Sequence, residues 1–71
     1  MGAKFYTRVT WSDKSQTRNI GGTKRDQIGN AQYEAMKGNG ITAEIVRADK
    51  NGERVVMRYW RDSEGLQYLT Y

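Results

Sequence analysis

Apolar and polar residues alternate with period two along Lys4–Trp11. Phe5, Thr7, Val9 and Trp11 fall on one side and Lys4, Tyr6, Arg8 and Thr10 on the other, as a half-buried strand requires. Ser12-Asp13-Lys14 is turn chemistry. Ser15–Ile20 reads as a return strand whose polar residues suit an exposed edge, guarded by Lys14 and Arg18. Gly21-Gly22 breaks that strand, and Thr23 with Asp26 three residues later forms an acidic variant of the capping box. A helix is predicted over Lys24–Lys37, with a thin apolar stripe of Ile28, Ala31, Ala35 and Met36. Lys24, Arg25, Gln27, Asn30, Gln32 and Lys37 are expected on its exposed side. Gly38-Asn39-Gly40 stops it, with Lys37 placed to favour the helix dipole.

The clearest signal lies in ITAEIVRADKNGERVVMRYW, Ile41–Trp60. Two runs rich in β-branched and aromatic residues flank Asn51-Gly52, which predicts a two-residue type I′ hairpin turn. In Ile41–Ala48 the core candidates are Ile41, Ala43 and Ile45; in Glu53–Arg61 they are Val55, Met57 and Tyr59. Asp62-Ser63-Glu64-Gly65 makes a further turn before a last strand over Leu66–Tyr71. The order is β-β-α-β-β-β, and the expected fold is a single α+β domain over residues 1–71, an antiparallel sheet with one helix packed on one face.

That pattern assigns faces. With Phe5, Val9, Ile41, Ile45, Val55 and Tyr59 toward the helix, the opposite face carries Lys4, Tyr6, Arg8, Arg54, Arg58 and Trp60. Arg54 and Arg58, four apart in one strand, would share that face about 13–14 Å apart. A one-residue slip would exchange the faces.

Composition narrows the picture. Leu, Ile, Val and Phe make up only 11 of the 71 residues, a level at which disorder becomes a question. Two Trp and five Tyr supply buriable area that the aliphatic count misses, and the regular spacing argues for a fold. So small a core gains area by dimerisation, and a homodimer is compatible with the sequence. The net charge of +4 favours acidic partners, whether nucleic acid or another protein. The chain has no cysteine, so disulfides and thiolate sites are absent, and a cytoplasmic location is expected. No run approaches a membrane span, so no membrane partner is expected. Met1-Gly2 begins like a myristoylation signal, but Tyr6 stands where Ser or Thr is needed.

Catalysis finds little support. Histidine is absent, which removes the commonest general base and the zinc ligand sets built on Cys and His. Of the eight acids, Asp13, Asp26, Glu34, Glu44, Asp49, Glu53, Asp62 and Glu64, six sit in or beside predicted turns or the helix start, where solvated carboxylates are ordinary. No enzyme activity, cofactor or metal is expected. Asp49–Glu53 lacks the ligand spacing of a calcium loop. Gly22, Thr23, Lys24 and Arg25 place backbone N–H groups, a hydroxyl and two cations at a helix start. They form a possible anion site, with an ordinary cap as the alternative.

The basic and aromatic sheet face is the main candidate surface. Cations interleaved with aromatics can track phosphates and stack on bases. They equally suit a protein interface, where Trp, Tyr and Arg dominate, or a solvated face on which long cations cover aromatics. No RNA-recognition sheet motif is present in Arg54–Arg61.

A small basic domain of this element order, closing in the meander VRADKNGERVVMRYWRDSEGLQYLTY, resembles some small phage-encoded inhibitors, including certain anti-CRISPR proteins. The resemblance lies in element order and assigns no functional residue. It implies a non-catalytic protein of the host cytoplasm that occludes a host protein or nucleoprotein complex. The sequence thus supports a binding module first, a direct DNA- or RNA-binding protein second, and a structural subunit of an assembly third.

Overall fold

The computed structural model describes residues 3–71; the Met1-Gly2 start of the myristoylation-like motif lies outside them. Six elements follow one another: β1 (Lys4–Thr10), β2 (Gln16–Ile20), α1 (Lys24–Ala35), β3 (Thr42–Asp49), β4 (Gly52–Asp62) and β5 (Gly65–Thr70). The strands form one sheet in the order β2-β1-β3-β4-β5, antiparallel throughout. The chain leaves β2, crosses β1 through α1, and re-enters the sheet as β3. This is the expected α+β architecture. Among the described residues no helix is long and apolar enough to cross a membrane.

All three hairpins use an aspartate side chain to close the turn. Asp13 accepts from Ser15 N, Asp49 from Asn51 N and Asp62 from Glu64 N, at 2.9, 2.8 and 2.8 Å. In the second and third the pattern is Asp-x-x-Gly, with Asp49↔Gly52 and Asp62↔Gly65 as the last strand pairs. The β3–β4 loop is therefore Lys50-Asn51, not Asn51-Gly52, and the type I′ expectation is corrected. Asn51 keeps a negative φ, and Gly52 alone takes the positive one, at 123°. Asp at the first and Gly at the fourth position are the preferences of a type I turn.

Thr23 caps α1 with a complete capping box: Thr23 N donates to Asp26 Oδ2 at 2.8 Å, and Asp26 N donates to Thr23 Oγ1 at 3.2 Å. The helix ends at Ala35 with Met36 as its C-cap, one turn's fraction earlier than expected. Lys37 therefore lies outside the last turn and bonds Glu34 instead, at 2.8 Å. Ala31 and Ala35 are fully buried, and their small side chains let α1 lie close to the sheet.

The core sits between α1 and the sheet. It joins Val9, Ala31, Ala35, Ile41, Ala43, Ile45 and Tyr59, with Phe5, Trp11, Ile28, Val56 and Met57 packed around them. Fully burying a side chain such as Ile45 contributes about 1.5–3 kcal/mol. Two expectations fail here. Met36, assigned to the apolar stripe, is largely exposed, and Gln27, assigned to solvent, is completely buried. Gln27 belongs inside because its polar atoms find partners. Thr7 Oγ1 donates to Gln27 Oε1 at 2.8 Å, and Gln27 Nε2 donates to the Gly21 carbonyl. A buried amide so satisfied avoids its desolvation penalty.

Candidate interaction face

Among the described residues no second layer covers the face of the sheet opposite α1, and strand register decides what that face displays. Across the middle runs the row Arg18–Arg8–Glu44–Arg58–Leu69, one residue from each strand in spatial order. On one side of it lies Gln16–Thr10–Thr42–Trp60–Gln67. On the other lies Ile20–Tyr6–Val46–Val55, and beyond that Lys4–Ala48–Glu53. Neighbouring strands are about 4.8 Å apart, so the long side chains of each row reach one another.

The central row is held by charge. Arg8 Nη2 and Nε donate to Glu44 Oε1 at 2.9 and 3.2 Å, and Arg58 Nη2 donates to Glu44 Oε2 at 3.1 Å. Each carboxylate oxygen thus serves a different arginine. The Glu44 side chain is only 12% exposed. A carboxylate buried to this degree is tolerated because both oxygens are met by charged donors. Arg58 Nε is buried without a hydrogen-bond partner, an arrangement that costs free energy.

Aromatic rings extend the network. The Arg18 guanidinium lies over the Tyr6 ring at 5.1 Å and that of Arg58 over the Tyr71 ring at 5.7 Å, within reach of cation–π attraction. The Tyr6 hydroxyl donates to Glu53 Oε1 at 2.8 Å. Burial, then the hydrogen bond to Glu53 and that residue's charge, holds the Tyr6 phenol above its ordinary range. Val46, beside Tyr6, is 1% exposed although it lies on the side away from the helix. Its cross-strand neighbours on that face are Tyr6 and Val55. At the margins Ile20, Leu69 and Tyr71 are exposed.

Of the six residues assigned to this face from the sequence, Lys4, Tyr6, Arg8, Arg58 and Trp60 share it. Arg54 does not. Ile45 pairs with Met57 but Val46 pairs with Val55, so Val56 is an extra residue in β4. Such a bulge interrupts the alternation. Before it, Arg54 stands opposite Arg47 and Val55 opposite Val46. Arg54 is therefore on the helix side of the sheet and Val55 on the open side, each the reverse of the expectation. Val56 takes the place in the core that Val55 was given. Glu44, Arg18 and Tyr71 also belong to this face, and none of them was among the six expected there. A glutamate set between Ala43 and Ile45-Val46 was the available signal, since a charge buried there needs partners.

At the start of α1, Gly22, Thr23 and Lys24 line a shallow hollow with Lys4, Phe5 and Ile20. Lys24 Nζ lies over the Phe5 ring at 5.9 Å. The carboxylate of Asp26 occupies the helix terminus. A Cβ on Gly22 would stand 2.6 Å from Asp26 Oδ2, and the bond from Thr23 N, then that to its side chain, keeps the Asp26 carboxyl below its ordinary range. The negative charge that an anion would bring to Gly22, Thr23, Lys24 and Arg25 is already supplied from within the chain.

The open face thus carries a row of three arginines and one glutamate with apolar and aromatic margins. It can bind through ion pairs, guanidinium hydrogen bonds and ring contacts. No family model, no curated protein and no solved structure matches the chain.

Proposed function

We propose that the protein is a non-catalytic binding module that docks its open sheet face onto the acidic surface of a protein partner and covers it. The observation that carries this is the central row, in which three arginines and one glutamate cross four adjacent strands. Cations are in excess, so an acidic surface is the complement. The exposed Ile20, Leu69 and Tyr71 at its margins supply apolar contact area, and Arg and Tyr are residue types that dominate protein interfaces. Glu44 in the middle of the row favours protein over nucleic acid, because a carboxylate there repels phosphates. A face held by its own ion pairs loses little freedom on binding. Occlusion of a host protein or nucleoprotein, which the likeness to small phage-encoded inhibitors implies, is the mode of action this geometry suits.

The test uses Arg18 and Ile20, both exposed on β2, whose replacement spares the core. The immobilised chain is exposed to nuclease-treated lysate beside the double variant Arg18→Glu, Ile20→Ala. Capture of an acidic protein by the wild type, lost in the variant, is the expected result. Equal capture by both removes the face from the assignment. A mobility shift of DNA or RNA whose affinity falls steeply with salt would replace the protein partner with nucleic acid.

A further inference from the structure

The two edges of the sheet differ in a way that points to self-association. β2 is polar up to Ile20 and carries Arg18 at its centre, with Lys14 in the turn before it, and charges on an edge deter pairing with another chain. Within its own length β5 has no such protection; its nearest charge in sequence, Glu64, lies in the turn before it. Gly65–Thr70 reads GLQYLT, with no charged residue and no proline. Leu66, Tyr68 and Leu69 are exposed along it, on both sides of the sheet.

The hydrogen-bond phase shows which backbone groups are open. Tyr71 N donates to Val56 O at 3.0 Å. By the alternation of an antiparallel ladder, Gly65, Gln67 and Leu69 also turn their polar groups to β4. Leu66, Tyr68 and Thr70 turn theirs outward, to the free edge.

We infer that β5 pairs with β5 of a second copy of this chain, antiparallel about a two-fold axis at Tyr68, to make one continuous sheet. In that register Tyr68 lies opposite its own counterpart and Leu66 opposite Thr70 of the other copy, each pair exchanging N–H and C=O in both directions. The contact is isologous and closes on itself. A second copy fits because each chain carries a net charge of +4, and an uncharged edge is where two such chains meet with least repulsion. Leu66 and Tyr68, left in water by the single chain, gain apolar neighbours. The axis stands normal to the sheet, so both helices fall on one side and the two open faces lie side by side on the other. The pairing is independent of whether the open face binds a protein.

The test is molar mass in solution with hydrogen exchange on the same samples. From micromolar to millimolar concentration the mass rises from 8.2 kDa toward twice that value. Over the same range the amides of Leu66, Tyr68 and Thr70 slow their exchange while those of β2 do not. Tyr68→Lys sets two like charges opposite each other across the axis and returns the mass to that of one chain. A constant single-chain mass overturns the inference. So does a dimer in which the three amides exchange unchanged, or a folded Tyr68→Lys variant that still dimerises. Because the exchange measurement uses the wild type, the result stands even where the variant does not fold.

Discussion

The two faces of this sheet bury comparable residues by different means. Toward the helix, Val9, Ala43, Ile45 and Tyr59 are covered by Ala31 and Ala35, so water is excluded by a second layer of backbone. On the open face Tyr6, Val46 and Glu44 are also buried, with nothing above them but neighbouring side chains. The first face is a core in the ordinary sense, with one polar junction at Thr7 and Gln27. The second is a lattice of arginines, a glutamate and rings. A sheet in a small chain need not be sandwiched to bury residues on both sides: long cations whose charges are matched can serve as the cover. The cover on the open side keeps its guanidiniums partly exposed.

Substitutions separate the two solutions. The largest effect is expected at Ile45→Ala, which leaves a cavity under α1 and should cost about 2–5 kcal/mol, a large share of what a domain of this size has in reserve. Urea unfolding monitored by circular dichroism measures it. Glu44→Gln leaves Arg8 and Arg58 without their shared counter-charge. It should cost about 1–2 kcal/mol, less than a fully buried pair, because the Arg8 and Arg58 side chains keep 29% and 43% exposure and water screens them. The same variant should bind polyanions more tightly at low salt, since two guanidiniums are released. If Glu44→Gln proved as costly as Ile45→Ala, the open face would count as a second core.

The smallest effect concerns pH. Tyr6 holds its proton more firmly folded than unfolded, through burial and then Glu53. The unfolded chain therefore releases that proton first as pH rises. The stabilisation is complete below about pH 10, the unfolded tyrosine range, and is lost as pH climbs through the higher folded value. Tyr6→Phe should lose stability less steeply above pH 10 than the wild type, in denaturant titrations at stepped pH. Identical slopes would mean that the Tyr6–Glu53 contact does not hold the open face in solution.

Much of this was legible in local pattern. The capping box at Thr23 and Asp26, the strand alternation around Phe5 and Val9, and the polar edge at β2 follow from residues within a few positions of one another. The turn at Asp49 was legible too, in the Asp-x-x-Gly spacing repeated at Asp62, although Asn51-Gly52 pointed to a different turn type. Gln27 was not legible, because its partners, Thr7 and Gly21, lie on other elements. Nor was the candidate site complete. Lys4, Tyr6, Arg8, Arg58 and Trp60 could be placed by alternation, but Arg54 could not, since one bulge residue reverses everything before it.

By itself the sequence determined the order of elements, the positions of their turns and caps, and a basic chain without histidine or cysteine. These depend on short-range periodicity and backbone preference, which a linear chain records. Only the tertiary structure decided that Val56 is the extra residue, that Arg54 leaves the open face, and that Glu44 stands between Arg8 and Arg58. Each of these depends on which residues stand opposite one another on β1, β3 and β4, and pairing between distant strands is set by the packing of the whole sheet against α1.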